Sequence, residues 1–473
     1  MRITTRLAAL AAAAALAATV AGCAGGGKTY DVVVVGSGGA GIAAAIEAAE
    51  AGAKVAVLEK LPMVGGSTLL SGGYVYGTGS AMQKKLGIQD SPDALAQYWS
   101  DRAGGQVDQA QLKLVAEKSG ETIDWLVGMG VKFNNPVAAG TSPVLRSHQT
   151  SNGGVGIINP MKAYADSRKV EFFMETSATR LLTNGKGAVT GVAAKTKDGK
   201  TIEFHAKSVV LATGGFDRSP DLEAKLTPDY QTPNTFVAVG NKGEGLLMAQ
   251  AVGASLEGHG GVIGFRGVPG VTALDNPVGG LIWVPSLYVN KEGKRFVNES
   301  ADYPVFHQEL NKQTDKTSFL IFDAATYQPA LDKAVTDGKA YTADSLDALA
   351  TAAGIDAKTL AATVAEYNAM IKKGKDTQFG KSLKGLPPVA KPKFYALQVV
   401  AATLGTMTGL KIDLDTHVLD AKGQPIPGLY AAGEIANGGF FNQVYPASGT
   451  SIQMSLTFGR IAGKTAAAAA LKK

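Results

Sequence analysis

The sequence is poor in the residues that build disulfides, metal clusters and haem sites. Its 473 residues include one cysteine, Cys23, and five histidines. A single cysteine excludes an internal disulfide and a cysteine-ligated cluster, and no CxxCH haem-attachment motif occurs. The histidines and carboxylates show no metal-ligand spacing. The sequence therefore predicts no metal site.

A membrane-spanning run and a concentrated basic patch are also missing. The apolar stretch at residues 7–20 is shorter than the ~20 residues that a helix needs to span a bilayer. The 46 basic residues are scattered along the chain, so nucleic-acid binding is not expected. A composition with 45% hydrophobic and 18% charged residues is typical of a globular protein, and the length predicts two domains or more.

The first 22 residues have the pattern of a bacterial lipoprotein signal peptide. Arg2 and Arg6 precede the apolar stretch, and Val20-Ala21-Gly22-Cys23 resembles a lipobox. We predict cleavage before Cys23, lipidation of Cys23 and a flexible tether at residues 23–28. Loss of the two arginines lowers the formal charge from +6 to +4. The protein is then expected to be extracytoplasmic and lipid-anchored to a bacterial membrane.

A glycine-rich turn follows the first predicted strand. Residues 30–35 are predicted as a buried strand, Gly36-Ser37-Gly38-Gly39-Ala40-Gly41 fits GxGxxG, and residues 42–51 are predicted as a helix. Such a turn lets backbone approach a pyrophosphate, whose charge the helix N-terminus favours. A second predicted strand, 54–58, ends at Glu59, whose carboxylate can accept hydrogen bonds from a ribose. These features predict a dinucleotide site.

Further small-residue motifs distinguish FAD from NAD. The loops Gly65-Gly66-Ser67-Thr68 and Ser71-Gly72-Gly73 suit backbone contact with a flavin and its ribityl chain. Two later predicted strands run into Ala212-Thr213-Gly214-Gly215 and into Gly433-Glu434. In this order the motifs resemble those of the fumarate reductase/succinate dehydrogenase flavoprotein superfamily, in the soluble branch with fumarate and urocanate reductases and 3-ketosteroid dehydrogenases. The resemblance covers about residues 30–464 and is specific for fold and cofactor.

The resemblance implies an α/β fold with two domains. A Rossmann-like FAD-binding domain of the glutathione-reductase type, with a parallel sheet, is expected at residues 29–254 and 406–473. An α+β capping domain at residues 255–405 is expected to close over the flavin, with the substrate between the domains. The FAD is expected to be noncovalent, because no histidine lies near residues 66–73. The expected cofactor-binding residues are Gly36, Gly38, Gly39, Ala40, Gly41, Glu59, Lys60, Gly66, Ser67, Thr68, Gly72, Gly73, Ala178, Thr213, Gly214, Glu244, Glu434, Ser451 and Ile452.

The cations that clamp dicarboxylates in the fumarate-type members are absent. After the RFxNE-like segment at residues 295–299, Tyr303 stands where those members have an arginine proton donor. Phe265 and Gly405 stand near the positions of two histidines, and Tyr445 replaces a further arginine. A dicarboxylate would therefore enter a cleft with little charge to compensate its desolvation.

The replacements resemble the pattern of 3-ketosteroid dehydrogenases. Tyr303, Tyr445 and Gly449 match that pattern, with Ala447 as a departure from YPGxG. In this interpretation the Tyr445 hydroxyl and the Gly449 N–H stabilise an enolate oxygen. Tyr303 exchanges the proton on the α carbon, provided that its pKa is lowered, and flavin N5 exchanges hydride with the β carbon.

The expected function is FAD-dependent oxidoreduction of a C=C bond conjugated to a carbonyl, in the reductive direction. The expected substrate is a neutral or bulky enone, steroid-like enones included, and Trp283 is a candidate contact. A separate protein or a quinone-linked system is expected to exchange electrons with the flavin. One alternative is reduction of an unsaturated organic acid of the urocanate or cinnamate type, bound through Arg266 or Arg146. Another is a flavin-binding lipoprotein without catalysis.

Overall fold

The computed structural model describes residues 27–273 and 275–472. The predicted signal peptide and Cys23 lie outside the described residues. No helix within the described ranges combines the length and the apolar character that a membrane crossing requires.

Most strands of the N-terminal half of the chain belong to one large sheet, whereas the strands at residues 74–76, 137–139 and 142–149 form a separate three-stranded antiparallel sheet. The apolar strands of the large sheet run into glycine-rich turns that open helices, as the motif predicted. The elements are β1 (Lys28–Val35), α1 (Gly39–Glu50), β2 (Val55–Leu58), α2 (Gly66–Leu70), β3 (Tyr74–Tyr76), α3 (Ala81–Lys85), α4 (Pro92–Arg102), α5 (Gln109–Gly128), β4 (Val137–Ala139), β5 (Ser142–Gln149), α6 (Val155–Ser167), β6 (Glu171–Phe173), β7 (Thr176–Thr183), β8 (Val189–Thr196), β9 (Thr201–Leu211), α7 (Pro220–Leu226) and α8 (Glu244–Gln250).

The remaining elements form a second sheet with its helices and then return to the first sheet. The second group consists of β10 (Leu256–Gly267), α9 (Pro277–Gly280), β11 (Leu287–Asn290), α10 (Tyr303–Asn311), β12 (Thr317–Phe322), α11 (Ala330–Thr336), β13 (Ala340–Ala343), α12 (Leu346–Ala353), α13 (Ala357–Lys373) and β14 (Phe394–Leu410). The returning elements are β15 (His417–Leu419), β16 (Pro425–Ala431) and α14 (Thr450–Leu471).

The large sheet has the order β15-β16-β9-β1-β2-β6, with β7 and β8 attached beside β9. The five strands from β16 to β6 are parallel, so their carboxyl ends share one edge. Helix α14 packs across α1, where Gly459 and Gly463 let the two backbones approach closely. The predicted α/β fold with a parallel sheet is confirmed, and the three sequence motifs meet at the same edge.

The cap sheet is antiparallel, with the order β10-β14-β12-β11 and β13 beside β14. Its strands are buried on both faces. Leu287 and Val289 of β11 pack with α12 and α13, whereas Tyr288 faces the opposite cluster with Phe306. This alternation follows the period of two in an extended strand. Helix α13 begins where predicted, with the Asp356 side chain accepting from Thr359 N–H at 2.8 Å.

Strand β14 belongs to both halves of the molecule. Its first part pairs with β12 and β13 in the cap sheet. Its last residues continue past the predicted domain boundary at residue 405, and Thr406 N–H donates to Glu434 Oε1 at 2.8 Å. The cap and the first domain are therefore joined by a continuous strand on this side.

Candidate functional site

A cleft of about 590 Å³ lies at the carboxyl edge of the parallel sheet, beneath the cap. The N-termini of α1 and α14 open into it, and β10 and α10 of the cap form its far wall. It brings together most of the residues predicted from the separate motifs. The predicted residues that line it are Gly36, Gly38, Gly39, Ala40, Glu59, Lys60, Gly66, Ser67, Thr68, Gly72, Ala178, Thr213, Gly214, Glu244, Trp283, Tyr303, Glu434, Tyr445, Gly449, Ser451 and Ile452.

Two predicted cofactor residues, Gly41 and Gly73, do not line the cleft. An added Cβ at Gly41 would collide with the carbonyl oxygen of Gly36, and one at Gly73 would collide with the backbone of Gly153. These glycines allow close packing of helix on strand and of loop on loop. Their assignment as cofactor contacts is therefore corrected to a packing role.

Glu59 is held rigidly at the end of β2. One carboxylate oxygen accepts from the N–H and the hydroxyl of Ser37 at 3.0 and 2.7 Å, and the other accepts from Leu61 N–H at 2.8 Å. At the same end of the cleft, Lys60 pairs with Glu244 at 2.7 Å. A fixed carboxylate beside a glycine-rich helix start is the arrangement that binds the ribose and pyrophosphate of a dinucleotide.

The lining fits FAD. The N-cap of α1, Gly38, has no capping side chain, and it lines the cleft together with Gly39 and Ala40. Gly39 N–H donates to Thr68 Oγ1 at 3.3 Å, and this helix N-terminus is suited to bind a pyrophosphate. The buried hydroxyl of Thr213 also lines the cleft and has no hydrogen-bond partner among the described residues. Neither histidine nor cysteine occurs among the described lining residues, so these side chains offer no covalent attachment to the flavin.

A buried carboxyl pair adjoins the cleft. Asn241 Nδ2 donates to Asp217 and to both oxygens of Glu434, each at 3.3 Å. Burial raises the pKa of Glu434 to about 8, with the charge of Asp217 as the next cause, and burial also raises the pKa of Asp217. The pair therefore retains a proton at neutral pH. Sequence reasoning found Glu434 but missed Asp217 and Asn241.

Tyr303 and Tyr445, the predicted catalytic tyrosines, lie together at one end of the cleft. Their rings lie nearly parallel, with an interplanar angle of 18° and centroids 6.1 Å apart. The edge of Phe265 contacts Tyr303 at a centroid distance of 5.4 Å. The Tyr445 hydroxyl accepts from Ser451 N–H, in the first turn of α14, at 2.8 Å. Because this bond uses a lone pair of the oxygen, the Tyr445 hydroxyl proton is free to be donated.

Both tyrosines stay protonated. Burial raises the pKa of Tyr303 well above its usual value, and the nearby Tyr445 and Asp302 raise it further. Burial also raises the pKa of Tyr445, which hydrogen bonds from the backbone of Ser451 and Gly449 offset only in part. Proton abstraction by Tyr303 would require a lowered pKa, and the pKa of Tyr303 is raised instead. The condition stated for proton abstraction is therefore not met. A neutral phenol is suited to giving a proton rather than taking one.

Asp302 fixes the position of Tyr303. Its carboxylate caps α10 by accepting from Tyr303 N–H at 2.9 Å, and it also accepts from Gly140 N–H at 2.7 Å. Ser448 donates to it from both N–H and hydroxyl, at 3.0 and 2.6 Å. One carboxylate thus joins the cap helix, a loop and the segment between Tyr445 and Gly449. Sequence reasoning missed this role, although Asp before Tyr-Pro is a helix-start signal.

A second chamber of about 460 Å³ adjoins the first on the cap side. Tyr74, Trp283, Asp302, Tyr303 and Ser448 line both chambers. The second chamber also contains Arg266, so this predicted substrate residue lies next to the cleft.

Arg146, the other predicted substrate arginine, is used elsewhere. Its guanidinium binds Asp90 through two hydrogen bonds of 2.6 Å, and both side chains are buried. It lines neither chamber. The assignment of Arg146 to substrate binding is therefore wrong, because a buried carboxylate already satisfies its charge.

The comparisons with known proteins agree with this site. The family described as "FAD binding domain" matches residues 31–452. A fumarate reductase (cytochrome) of Shewanella frigidimarina is 36% identical over 453 residues, 93% of this chain and 77% of the relative. A urocanate reductase of Eggerthella lenta is 34% identical over 470 residues, 93% of this chain and 75% of the relative.

A solved structure of similar shape is the 3-ketosteroid-Δ4-(5α)-dehydrogenase of Rhodococcus jostii RHA1 in complex with 4-androstene-3,17-dione. Its TM-score is 0.76 at 30% identity, over 95% of this chain and 99% of that chain. Fold and site together define a flavoprotein oxidoreductase. The chain belongs to the FAD binding domain family, and it is an FAD-dependent oxidoreductase acting on C=C bonds.

Proposed function

We propose that this protein reduces a C=C bond conjugated to a neutral carbonyl, as a lipid-anchored enzyme outside the cytoplasmic membrane. The observation that carries the proposal is the composition of the cleft. Its described lining contains two protonated tyrosines at the catalytic end and neither arginine nor histidine. Its one cation, Lys60, pairs with Glu244 at the nucleotide end. A neutral carbonyl suits such a wall better than a carboxylate does.

In the proposed reaction the protein side chains and backbone act at the carbonyl oxygen and at the α carbon of the substrate. FAD held by the cleft residues would, in its reduced form, supply the hydride for the β carbon. The Tyr445 hydroxyl donates to the carbonyl oxygen and, with the N–H of Gly449, stabilises the enolate charge that develops there. Tyr303 gives its proton to the α carbon, so hydride and proton together convert C=C to CH–CH. The proton of Tyr303 is then restored from water, and two electrons from the donor with one proton from water would return the flavin to its reduced form.

The raised pKa of Tyr303 supports the reductive direction. Dehydrogenation needs a base at the α carbon, and a tyrosine with a raised pKa carries little phenolate at neutral pH to act as that base. The sequence has no CxxCH motif, so we propose a separate electron donor, either a protein or a quinone-linked system.

The first test is anaerobic reoxidation of the reduced, FAD-loaded protein. Neutral enones, steroidal enones, fumarate, urocanate and cinnamate would be added in turn, and flavin absorbance would be followed. Rapid reoxidation by neutral enones is the expected result. Reoxidation by fumarate alone would overturn the substrate proposal.

The anchoring is tested separately in the native bacterium. Labelling with a clickable fatty acid should mark the wild-type protein, and Cys23→Ala should remove the label and release the protein from the membrane fraction. Retention of the label in Cys23→Ala would contradict lipidation at Cys23.

Reduction of an unsaturated organic acid is the second candidate, and Arg266 is the observation that favours it. Arg266 lies in the second chamber rather than in the cleft that Tyr445 and Gly449 line. An acid group bound by Arg266 can therefore be separate from the carbonyl that is conjugated to the reacting C=C bond.

A further inference from the structure

Arg266 is a buried cation that forms no ion pair with any residue that the structure describes. Its residue is 4% exposed, and its Nε and Nη1 atoms have no hydrogen-bond partner among the described residues. Its Nη2 makes one long contact, 3.5 Å to the carbonyl of Ile282, an oxygen that Tyr288 also binds at 2.9 Å. An isolated buried charge is costly, so these free donors need an explanation.

Aromatic rings hold the guanidinium in place. It lies 4.2 Å from the ring centroid of Phe306 and 5.3 Å from those of Tyr288 and Trp283. Cation–π contacts offset part of the desolvation, but they leave the N–H donors in the ring plane of the guanidinium unused. The rings therefore orient the guanidinium but provide no hydrogen-bond acceptor for its N–H groups.

Three other charged residues line the second chamber, namely Glu299, Asp302 and Lys381. Arg295 binds Glu299 and Asp376, each through paired contacts of 2.8–3.1 Å. Lys381 donates to Ser286 O at 2.7 Å and pairs with Glu299 at 3.5 Å. These two cations and two carboxylates form a neutral network. Asp302, the other carboxylate of the lining, accepts from the N–H groups of Gly140, Tyr303 and Ser448 and forms no ion pair with a described residue. Arg266 likewise forms no ion pair within the described part of the chain.

The position of Arg266 separates it from the reacting carbonyl. Phe265 and Arg266 are neighbours on β10, so their side chains point to opposite faces of the strand. Phe265 lines the cleft and contacts Tyr303, whereas Arg266 lines the second chamber. Trp283 lines both chambers, and its side chain is 54% exposed.

We propose that the second chamber is an anion subsite, in which Arg266 binds a carboxylate of the substrate remote from the reacting C=C bond. The inference rests on the proposed function and narrows its substrate class. The substrate carries a neutral conjugated carbonyl at Tyr445 and an acidic group beyond Tyr303. Arginine binds a carboxylate through two parallel hydrogen bonds, which would use the free donors.

The test compares substrates that differ only in charge. Benzylideneacetone bearing a ring carboxylate at the 3- or 4-position is compared with the corresponding methyl ester, which keeps the electronic effect but lacks the charge. For the wild-type enzyme we expect one acid to exceed its ester in kcat/KM by about 10- to 100-fold, mainly through KM, as charge-assisted hydrogen bonds predict. Equal values for acids and esters would overturn the proposal, without any need for a variant.

Arg266→Met and Arg266→Lys separate binding from packing. Arg266→Met keeps an apolar stem against the rings but has no charge, so it should lose the preference for the acid while its rate with the ester is retained. Arg266→Lys should keep part of the preference. If Arg266→Met instead slows acid and ester equally, Arg266 has only a structural role.

A binding measurement keeps this inference distinct from the proposed function. The saturated analogue, 4-(3-oxobutyl)benzoate, should raise the Tm of the FAD-loaded wild-type protein and leave that of Arg266→Met unchanged. If no enone reoxidises the flavin but this difference in Tm is found, the proposed function fails and the subsite stands. If the enone esters react and the analogue shifts both proteins equally, the subsite fails and the proposed function stands.

Discussion

The rings of Tyr303 and Tyr445 lie 6.1 Å apart and within 18° of parallel, at the point where a cap helix meets the start of α14. The two residues come from different domains and are separated by more than 140 positions in the sequence. Their proximity depends on the packing of the cap against the first domain. The two predicted catalytic tyrosines are thus brought together by the packing of α10 against the segment that leads into α14.

Tyr303→Phe should abolish the donated proton while the fold is kept. We expect kcat for enone reduction to fall by about 10²-fold or more, the usual size of a general-acid contribution. FAD content and Tm should be unchanged, because the ring contacts with Phe265 and Tyr445 remain. Tyr341→Phe, in β13, is the matched control. A variant with near-wild-type kcat would exclude Tyr303 as the donor.

The pH dependence of the reoxidation rate should show that Tyr303 acts as a proton donor rather than as a base. Since burial holds the pKa of Tyr303 well above its usual value, the phenol remains protonated through mildly alkaline pH. Single-turnover reoxidation by a neutral enone should therefore be independent of Tyr303 ionisation from pH 7 to about pH 9. A rate that rises steadily with pH over this range would indicate that a deprotonated tyrosine is the active form.

Asp302→Ala should destabilise the protein and displace Tyr303. The change removes the cap of α10 together with the contacts to Gly140 and Ser448. Loss of a helix cap alone costs about 1–2 kcal/mol, so a clear drop in Tm is expected. Asp302→Asn, which can still cap the helix, should restore most of the stability. If Asp302→Ala keeps the wild-type Tm and activity, Asp302 has no such joining role.

Asp217→Asn should flatten the pH dependence of stability. With its pKa raised to about 8, Glu434 binds a proton in the folded state that the unfolded state releases near pH 4.5. This contribution is fully present below the ordinary pKa and is lost as the pH rises through about 8. Asp217→Asn removes one cause of the shift but not the burial.

The wild-type Tm should therefore fall more between pH 5 and pH 9 than the Tm of Asp217→Asn, as measured by calorimetry. Asp221→Asn, an exposed site in α7, serves as the control for an added amide. Identical profiles for wild type and Asp217→Asn would show that the two carboxyl groups titrate independently.

The fold and the cofactor end of the site could be predicted because local sequence encodes them. A strand, a glycine turn and a helix start are each contiguous, and their meeting follows from the geometry of parallel strands. The catalytic tyrosines could be proposed only through the resemblance, since a tyrosine carries no local mark of its role. The predictions for Gly41 and Gly73 were wrong because a glycine that packs backbone looks the same in sequence as one that binds a ligand.

Long-range pairing accounts for the remaining differences. The pairing of Arg146 with Asp90 joins residues 56 positions apart, and nothing in either segment specifies the other. The same holds for Asp217 with Glu434, and for the opposed faces of β10 that separate Phe265 from Arg266. The pKa of Tyr303 depends on burial by the cap, so its direction could not be obtained from residue type.

The strand β14 makes the cap and the cofactor cleft a single mechanical unit. Its early residues are hydrogen-bonded into the cap sheet, and Thr406 near its end holds Glu434 at the cleft. A rigid displacement of the cap sheet along this strand would alter the hydrogen bond that tunes the acidity of Glu434. The packing of the second sheet therefore contributes to the proton affinity of Glu434 beside the cleft, because the hydrogen bond from Thr406 N–H lowers the pKa of that carboxyl.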